Sequence, residues 1–173
     1  FLGPRTIIGH AVFTDEHPWL HWPTRRDLNL LAETASSVAH CPTPFARDGT
    51  IMNHLGAYMD AGVNIAIGTD THPQNLFEEM GTAEMLARIA AGQRHTCSTA
   101  RVFHACTIGA AKLLGRDDIG RLAPRAKADL VVCDLTEPNM LPLRDPLRNL
   151  VYSSVGRCVR DVCSNTGCAD GEI

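Results

Sequence analysis

His10, His40 and Asp70 stand thirty residues apart, each at or just beyond the end of a short apolar run, and this interval constrains the fold more than any other feature of the chain. Thr6-Ile7-Ile8-Gly9-His10, Ser37-Val38-Ala39-His40 and Val63-Asn64-Ile65-Ala66-Ile67-Gly68 read as strands, being short, rich in β-branched residues and bounded by turn signals. Helical patterns fill the intervals. The first is capped at Thr24, with Asp27 at its third position and Leu28, Leu31 and Ala32 as apolar residues. The second follows the Pro-rich loop Cys41 to Asp48, carries Ile51, Leu55 and Met59 on one face and stops at Gly62. The third opens on the capping-box pattern Asn75-Leu76-Phe77-Glu78 and runs to about Gly92.

Strands alternating with helices predict an α/β chain with a parallel sheet. About thirty residues per unit is the share each unit takes of a (β/α)₈ barrel of roughly 250 residues, whose catalytic groups sit at the C-terminal ends of its strands. A period of two places Val63, Ile65 and Ile67 on one face of the third strand. Asn64, Ala66, Gly68 and, if the alternation continues, Asp70 share the other, which faces the barrel mouth. A further helix is expected from about Thr99 to Leu114, ended by Gly115. The pattern then changes to a turn at Gly120 to Pro124, a β-rich run from Ala128 to Leu135, a short helix within Asp145 to Ser153 and a strand at Val159 to Val162. Residues 1–117 therefore read as barrel and 118–173 as a second, smaller unit.

A net charge of -3 and a pI near 6.2 leave no basic footprint, so neither nucleic acid nor an anionic membrane surface is expected as a partner. The apolar runs are shorter than a membrane span, and a cytoplasmic setting is expected. Seven cysteines without a Cys-x-x-Cys pair read as reduced, mostly buried thiols. The spacing of Cys158, Cys163 and Cys168 is too wide for a usual zinc knuckle. Gly-x-Ser-x-Gly, Gly-x-x-x-x-Gly-Lys and Gly-x-Gly-x-x-Gly do not occur, which disfavours serine hydrolase, P-loop and dinucleotide-binding readings.

Taken together, Ile7-Ile8-Gly9-His10, Val38-Ala39-His40-Cys41-Pro42 and Ile67-Gly68-Thr69-Asp70 resemble the amidohydrolase superfamily, near its cytosine-deaminase and chlorotriazine-hydrolase-like branches. The likeness continues through Gly120-Arg121-Leu122-Ala123-Pro124 and Lys127-Ala128-Asp129-Leu130-Val131-Val132, which resemble the segment completing a small β-sandwich after the barrel. The resemblance implies the sixth to eighth strands of a distorted TIM barrel plus part of that sandwich. It implies one divalent metal at the barrel mouth, zinc in first place and iron(II) in second. It also implies deamination or dechlorination of a heterocyclic or amidine-like small molecule by metal-activated water, in a homo-oligomeric parent.

On that resemblance Asp70 is a catalytic residue and metal ligand, and His10 is a catalytic residue that hydrogen-bonds the reacting groups. His40, His10, Thr71 and Trp22 are candidate substrate contacts. Trp19, His21 and Trp22 either form a platform for a planar heterocycle or plug the space under a long loop. Asn75 is a helix cap, and His17, His54, His95 and His104 are solvated or packed side chains. A His-x-His pair and a His-x-x-Glu, which such sites also use, do not occur here, so the chain reads as a C-terminal fragment, poorly folded and inactive alone. Ring opening of a cyclic amide, as in dihydroorotase or hydantoinase relatives, and a non-catalytic truncated barrel are the alternatives.

Overall fold

The computed structural model describes residues 1–22, 24–164 and 167–170, with side chains as far as 164. Pro23 in the first loop, the Cys168 side chain and Gly171-Glu172-Ile173 lie outside the described residues. Strands β1 (Ile7–Gly9), β2 (Ser37–His40) and β3 (Asn64–Ile67) form one parallel sheet in chain order. The register aligns Ile8 with Val38 and Val38 with Ile65. Val38 and Ile65 are buried, while Ile7 is 47% exposed on the open edge of β1. Ala66 is buried too, so β3 is covered on both faces, as strands of parallel sheets are.

The helices depart from the sequence reading at three instructive places. Helix α1 (Asp27–Glu33) has no capping bond from its own N-cap. Its first turn is capped from twelve residues away: the Asp15 carboxylate accepts from the backbone N–H of Arg26 at 2.7 Å and from the Thr24 hydroxyl at 2.8 Å, and Asp27 accepts from the N–H of Asp15. The segment expected to be a Pro-rich loop contains helix α2 (Pro42–Arg47). Its prolines lie in the first turn, where no backbone N–H has an intrahelical partner to lose. The helix expected from Thr99 to Leu114 is two, α5 (Thr99–Cys106) and α6 (Ile108–Leu113), broken at Thr107, whose hydroxyl donates to the Phe103 carbonyl at 2.9 Å.

The break lets α6 turn against β3 and β2, and α3 (Leu55–Asp60) packs on β3 as well. Asn64 donates to the Gly109 carbonyl at 3.1 Å and to the Ser37 hydroxyl at 3.0 Å. A Cβ on Gly109 would lie 2.5 Å from the Ile65 carbonyl oxygen. Gly109→Ala therefore forces α6 away from β3 and should destabilise the full-length protein by about 1–3 kcal/mol, read as a lower urea midpoint.

Helix α4 (Leu76–Ala91) begins as expected, with Asn75 Oδ1 accepting from the N–H groups of Phe77 and Glu78, and ends at Gly92 with φ +60°. It packs on α5 and on α7 (Pro146–Tyr152), where a Cβ on Gly81 would meet the Val151 carbonyl at 2.9 Å. Strands β4 (Leu130–Cys133), β5 (Val159–Ser164) and β6 (Gly167–Asp170) form a second, antiparallel sheet. Cys41, Cys97, Cys106, Cys133 and Cys158 are free thiols, but Cys163 in β5 is disulfide-bonded, which corrects the expectation of reduced cysteines throughout. Among the described residues no helix is long and apolar enough to cross a membrane.

Candidate active site

The C-terminal ends of β1 and β3 bring His10 and Asp70 together. His10 Nε2 lies 3.9 Å from Asp70 Oδ2, with both side chains about one-third exposed. Neither residue continues its strand. His10 has φ +64° and Asp70 φ +55°, so the alternation that predicted Asp70's direction does not reach it. Asp and His are among the residues that tolerate positive φ best, but two such residues at one site store strain of the kind found at functional positions.

The loop after Asp70 is held by α2. Arg47 donates to the Thr71 hydroxyl at 3.2 Å and to the His72 carbonyl at 2.7 Å. Thr71, a candidate substrate contact, is thus exposed at the rim with its hydroxyl already engaged by a guanidinium. Trp22 is 63% exposed. The rings that assemble are others: Phe45 lies against His10 at 4.8 Å, Phe13 lies 6.3 Å from Phe45, and Phe13, His17 and Trp19 pack together. His17 is buried beside Thr50, so it is a packed histidine as expected. Phe13, Phe45 and Arg47 carried no motif, and the prolines around Phe45 hid the helix that presents it.

Beneath the pair lie buried side chains, Cys41 and His40 among them. Burial pushes the Cys41 thiol up to about 11, aided by the nearby Asp70 and Glu79 carboxylates, so it stays protonated and is no nucleophile. His40 is 4% exposed, and burial, with the adjacent His10, pushes its pKa down to about 4. It is a neutral imidazole at pH 7. The unfolded chain then binds a proton between its ordinary value near 6.5 and about 4 that the folded chain refuses, so stability is full above pH 6.5 and falls as pH drops through that window. The loss is on the order of 3 kcal/mol. Urea midpoints of the metal-free full-length protein should fall from pH 7 to pH 4.5 by more in wild type than in His40→Gln, and equal falls would contradict the assignment.

Among the described residues no group of three potential ligands is close enough to hold a metal ion alone. What the chain offers is a carboxylate and an imidazole nitrogen, facing each other and half open to solvent, at a strand-end rim. A cavity of about 430 Å³ lies at the opposite end of β3, lined by Met59, Val63, Asn64, Arg101 and His104, and is remote from this chemistry.

The profile of the Amidohydrolase family matches residues 1–170. The chain belongs to the amidohydrolase family. Among its amidohydrolase relatives, a 5-methylthioadenosine/S-adenosylhomocysteine deaminase of Haloarcula marismortui is 35% identical over 172 residues, which are 97% of this chain and 36% of that protein. An adenosine deaminase from Xanthomonas campestris, solved with bound zinc, superposes with a TM-score of 0.86 at 29% identity, covering 96% of this chain and 37% of that one. An atrazine chlorohydrolase variant from Arthrobacter aurescens, complexed with zinc and atraton, gives a TM-score of 0.81 at 25% identity over 96% of this chain and 36% of that one. The chain thus spans little more than a third of the relatives it matches. Its fold is α/β, shared with that part of amidohydrolase barrels, and the resemblance read from the three strand ends is upheld.

Proposed function

We propose that this chain is part of a metal-dependent hydrolase of non-peptide carbon–nitrogen bonds, which removes an amino group from a heterocyclic small molecule of the purine nucleoside kind. The observation that carries the reading is His10 Nε2 set 3.9 Å from Asp70 Oδ2 beyond the ends of the two strands that flank β2, in a chain similar along its length to zinc-bound and adenosine-directed deaminases. In this reading β1 to β3 are the sixth to eighth barrel strands, residues 1–117 are barrel, and 118–173 contribute to a β-sandwich. Cytoplasmic location, homo-oligomeric assembly and the absence of nucleic-acid or membrane partners belong to the same reading; the net charge of -3 and the family likeness support it.

The half-exposed Asp70 carboxylate suits a divalent metal, zinc before iron(II), with the remaining ligands coming from outside these residues. Such a metal, when bound, lowers the pKa of water towards about 7. The chain's own residues do the rest. Asp70 would hold the ion, and its carboxylate takes up a proton and delivers it to the departing amine. His10 Nε2 donates to, or accepts from, the oxygen being added to the ring carbon, and imidazole can do either near neutral pH. Thr71 and Trp22 contribute to the substrate side of the rim, and His40 to its floor beneath His10. Phe45 keeps water from one face of the His10 ring.

The test is ammonia release by the purified full-length protein from 5-methylthioadenosine and adenosine, run beside chloride release from atrazine and ring opening of a dihydropyrimidine, with zinc and iron counted per chain. Ammonia release with one metal per chain is expected. Ring opening with two metals would assign the cyclic-amide alternative, and no metal with no turnover the non-catalytic one.

A further inference from the structure

Both backbone groups of His10 are committed to the neighbouring strand. Its N–H donates to the Ala39 carbonyl at 2.7 Å, and its carbonyl faces the ring of His40, the next residue of β2. Between them the chain makes a γ-turn: the Ala11 N–H bonds the Gly9 carbonyl at 2.7 Å across His10, whose φ of +64° marks the rarer and more strained kind. Ala11 follows at φ +49°. Two successive non-glycine residues at positive φ cost of order 1–3 kcal/mol each and persist only where the surroundings impose them.

The side chain of His10 has little else to fix its direction. Its Nδ1 is buried with no hydrogen-bond partner among the described residues, and its ring rests on Phe45. His40 has an unpartnered buried Nδ1 as well, whereas its Nε2 is not among the buried atoms without a partner. A neutral imidazole has one N–H, and placing it on Nε2 satisfies the carbonyl while leaving the Nδ1 lone pair in the apolar interior.

We propose that His40 is a positioning residue: it donates from Nε2 to the His10 carbonyl, holds the strained turn closed and so aims His10 Nε2 at Asp70. The inference rests on the reading of His10 as a group of the reaction, and it replaces a direct substrate contact for His40 by an action through its neighbour's backbone. Burial supports it, since a ring 4% exposed beneath His10 has little surface left for a ligand.

The test uses the full-length protein and begins with a readout that needs no turnover. In a crystal structure of His40→Leu, the Gly9–Ala11 bond should open, His10 should leave positive φ, and the 3.9 Å approach to Asp70 should be lost. A turn that keeps its geometry overturns the proposal. In kinetics, kcat of His40→Leu should fall about 10²-fold with KM and metal content unchanged, as misplacement of a reacting group by about 1 Å does. His40→Gln, which keeps a donor at the same reach, should restore most of it. In a His10→Ala background, His40→Leu should cost nothing more. A raised KM, no rescue by Gln, or losses that add would each overturn the inference. If His40→Leu does not fold, His40→Asn, too short to reach the carbonyl, takes its place throughout. An inactive wild-type protein whose turn still opens in His40→Leu would refute the proposed function and leave the positioning role standing.

Discussion

Asp70→Asn should leave the full-length protein folded while removing its metal and lowering turnover by about 10³-fold or more. Asparagine matches aspartate in size and tolerates positive φ equally well, so the backbone at φ +55° gains no strain from the change. It lacks the negative charge that would hold a divalent ion and the basic oxygen that would take up a proton in the proposed reaction. Loss of a general acid–base group alone costs about 10²–10⁴-fold, and loss of the ion adds the several kcal/mol it supplies to the transition state. Metal content and kcat/KM should therefore collapse together, while the metal-free forms of variant and wild type melt within a degree or two of each other. A variant with full metal content and near-normal kcat/KM would show that the carboxylate is only a turn residue. Because His10 faces Asp70 at 3.9 Å, His10→Ala should by contrast keep its metal and lose rate.

The largest stability effect is expected far from that rim. Glu84 of α4 is fully buried, and its Oε1 accepts from Arg88 Nη2 one turn later and from the Thr99 hydroxyl of α5 at 3.1 Å. Arg88 Nη1 donates to the Tyr152 hydroxyl of α7 at 3.0 Å, and Nη2 reaches the Cys97 carbonyl. Burial, then the Glu84 carboxylate, pushes the Tyr152 phenol up to about 12, so it remains a neutral member of the network. One ion pair thus ties α4, α5 and α7. Glu84 Oε2 and Arg88 Nε have no partner among the described residues, so Arg88 is the one cation set against the buried carboxylate there, with the Thr99 and Tyr152 hydroxyls beside it. Arg88→Met leaves that carboxylate uncompensated and should destabilise by about 3–5 kcal/mol. Replacing both partners, Glu84→Leu with Arg88→Met, should recover most of the loss, since an apolar pair of similar volume avoids the desolvation cost. Urea midpoints of the three proteins decide the point, and a double variant no better than Arg88→Met alone would contradict the account.

The sequence carried the parallel sheet and the strand ends because their cause is local. Val38, Ile65 and Ile67 must be buried, and the thirty-residue interval sets how often the chain returns to the same rim. The Asn75 cap and the Gly92 stop were legible for the same reason, each acting within one helical turn. What was hidden depends on groups distant in sequence. Asp15 caps α1 across a loop, so no pattern near Asp27 announced it. Helix α2 has the composition of a Pro-rich loop, although its prolines sit where a helix has no bond to lose. Thr107 breaks one expected helix into two so that Gly109 can approach the Ile65 carbonyl, a fit set by tertiary packing. At the rim, Asp70 and His10 were found by strand-end position, and the structure brings them together. Trp19, His21 and Trp22 stand out by sequence proximity alone, whereas Phe13 and Phe45 carry no local signal, since single aromatics show no periodicity. Their ring contacts exist only in three dimensions.

The claim on which the functional reading rests is that the strand-end carboxylate holds a metal while the facing imidazole does not. Anomalous diffraction at the zinc absorption edge from crystals of the full-length protein tests it directly. The account predicts one peak at about 2.0–2.2 Å from a single Asp70 oxygen, with His10 Nε2 beyond ligand distance. A peak away from Asp70, a peak with His10 inside the coordination sphere, or no peak in zinc-replete protein would contradict it.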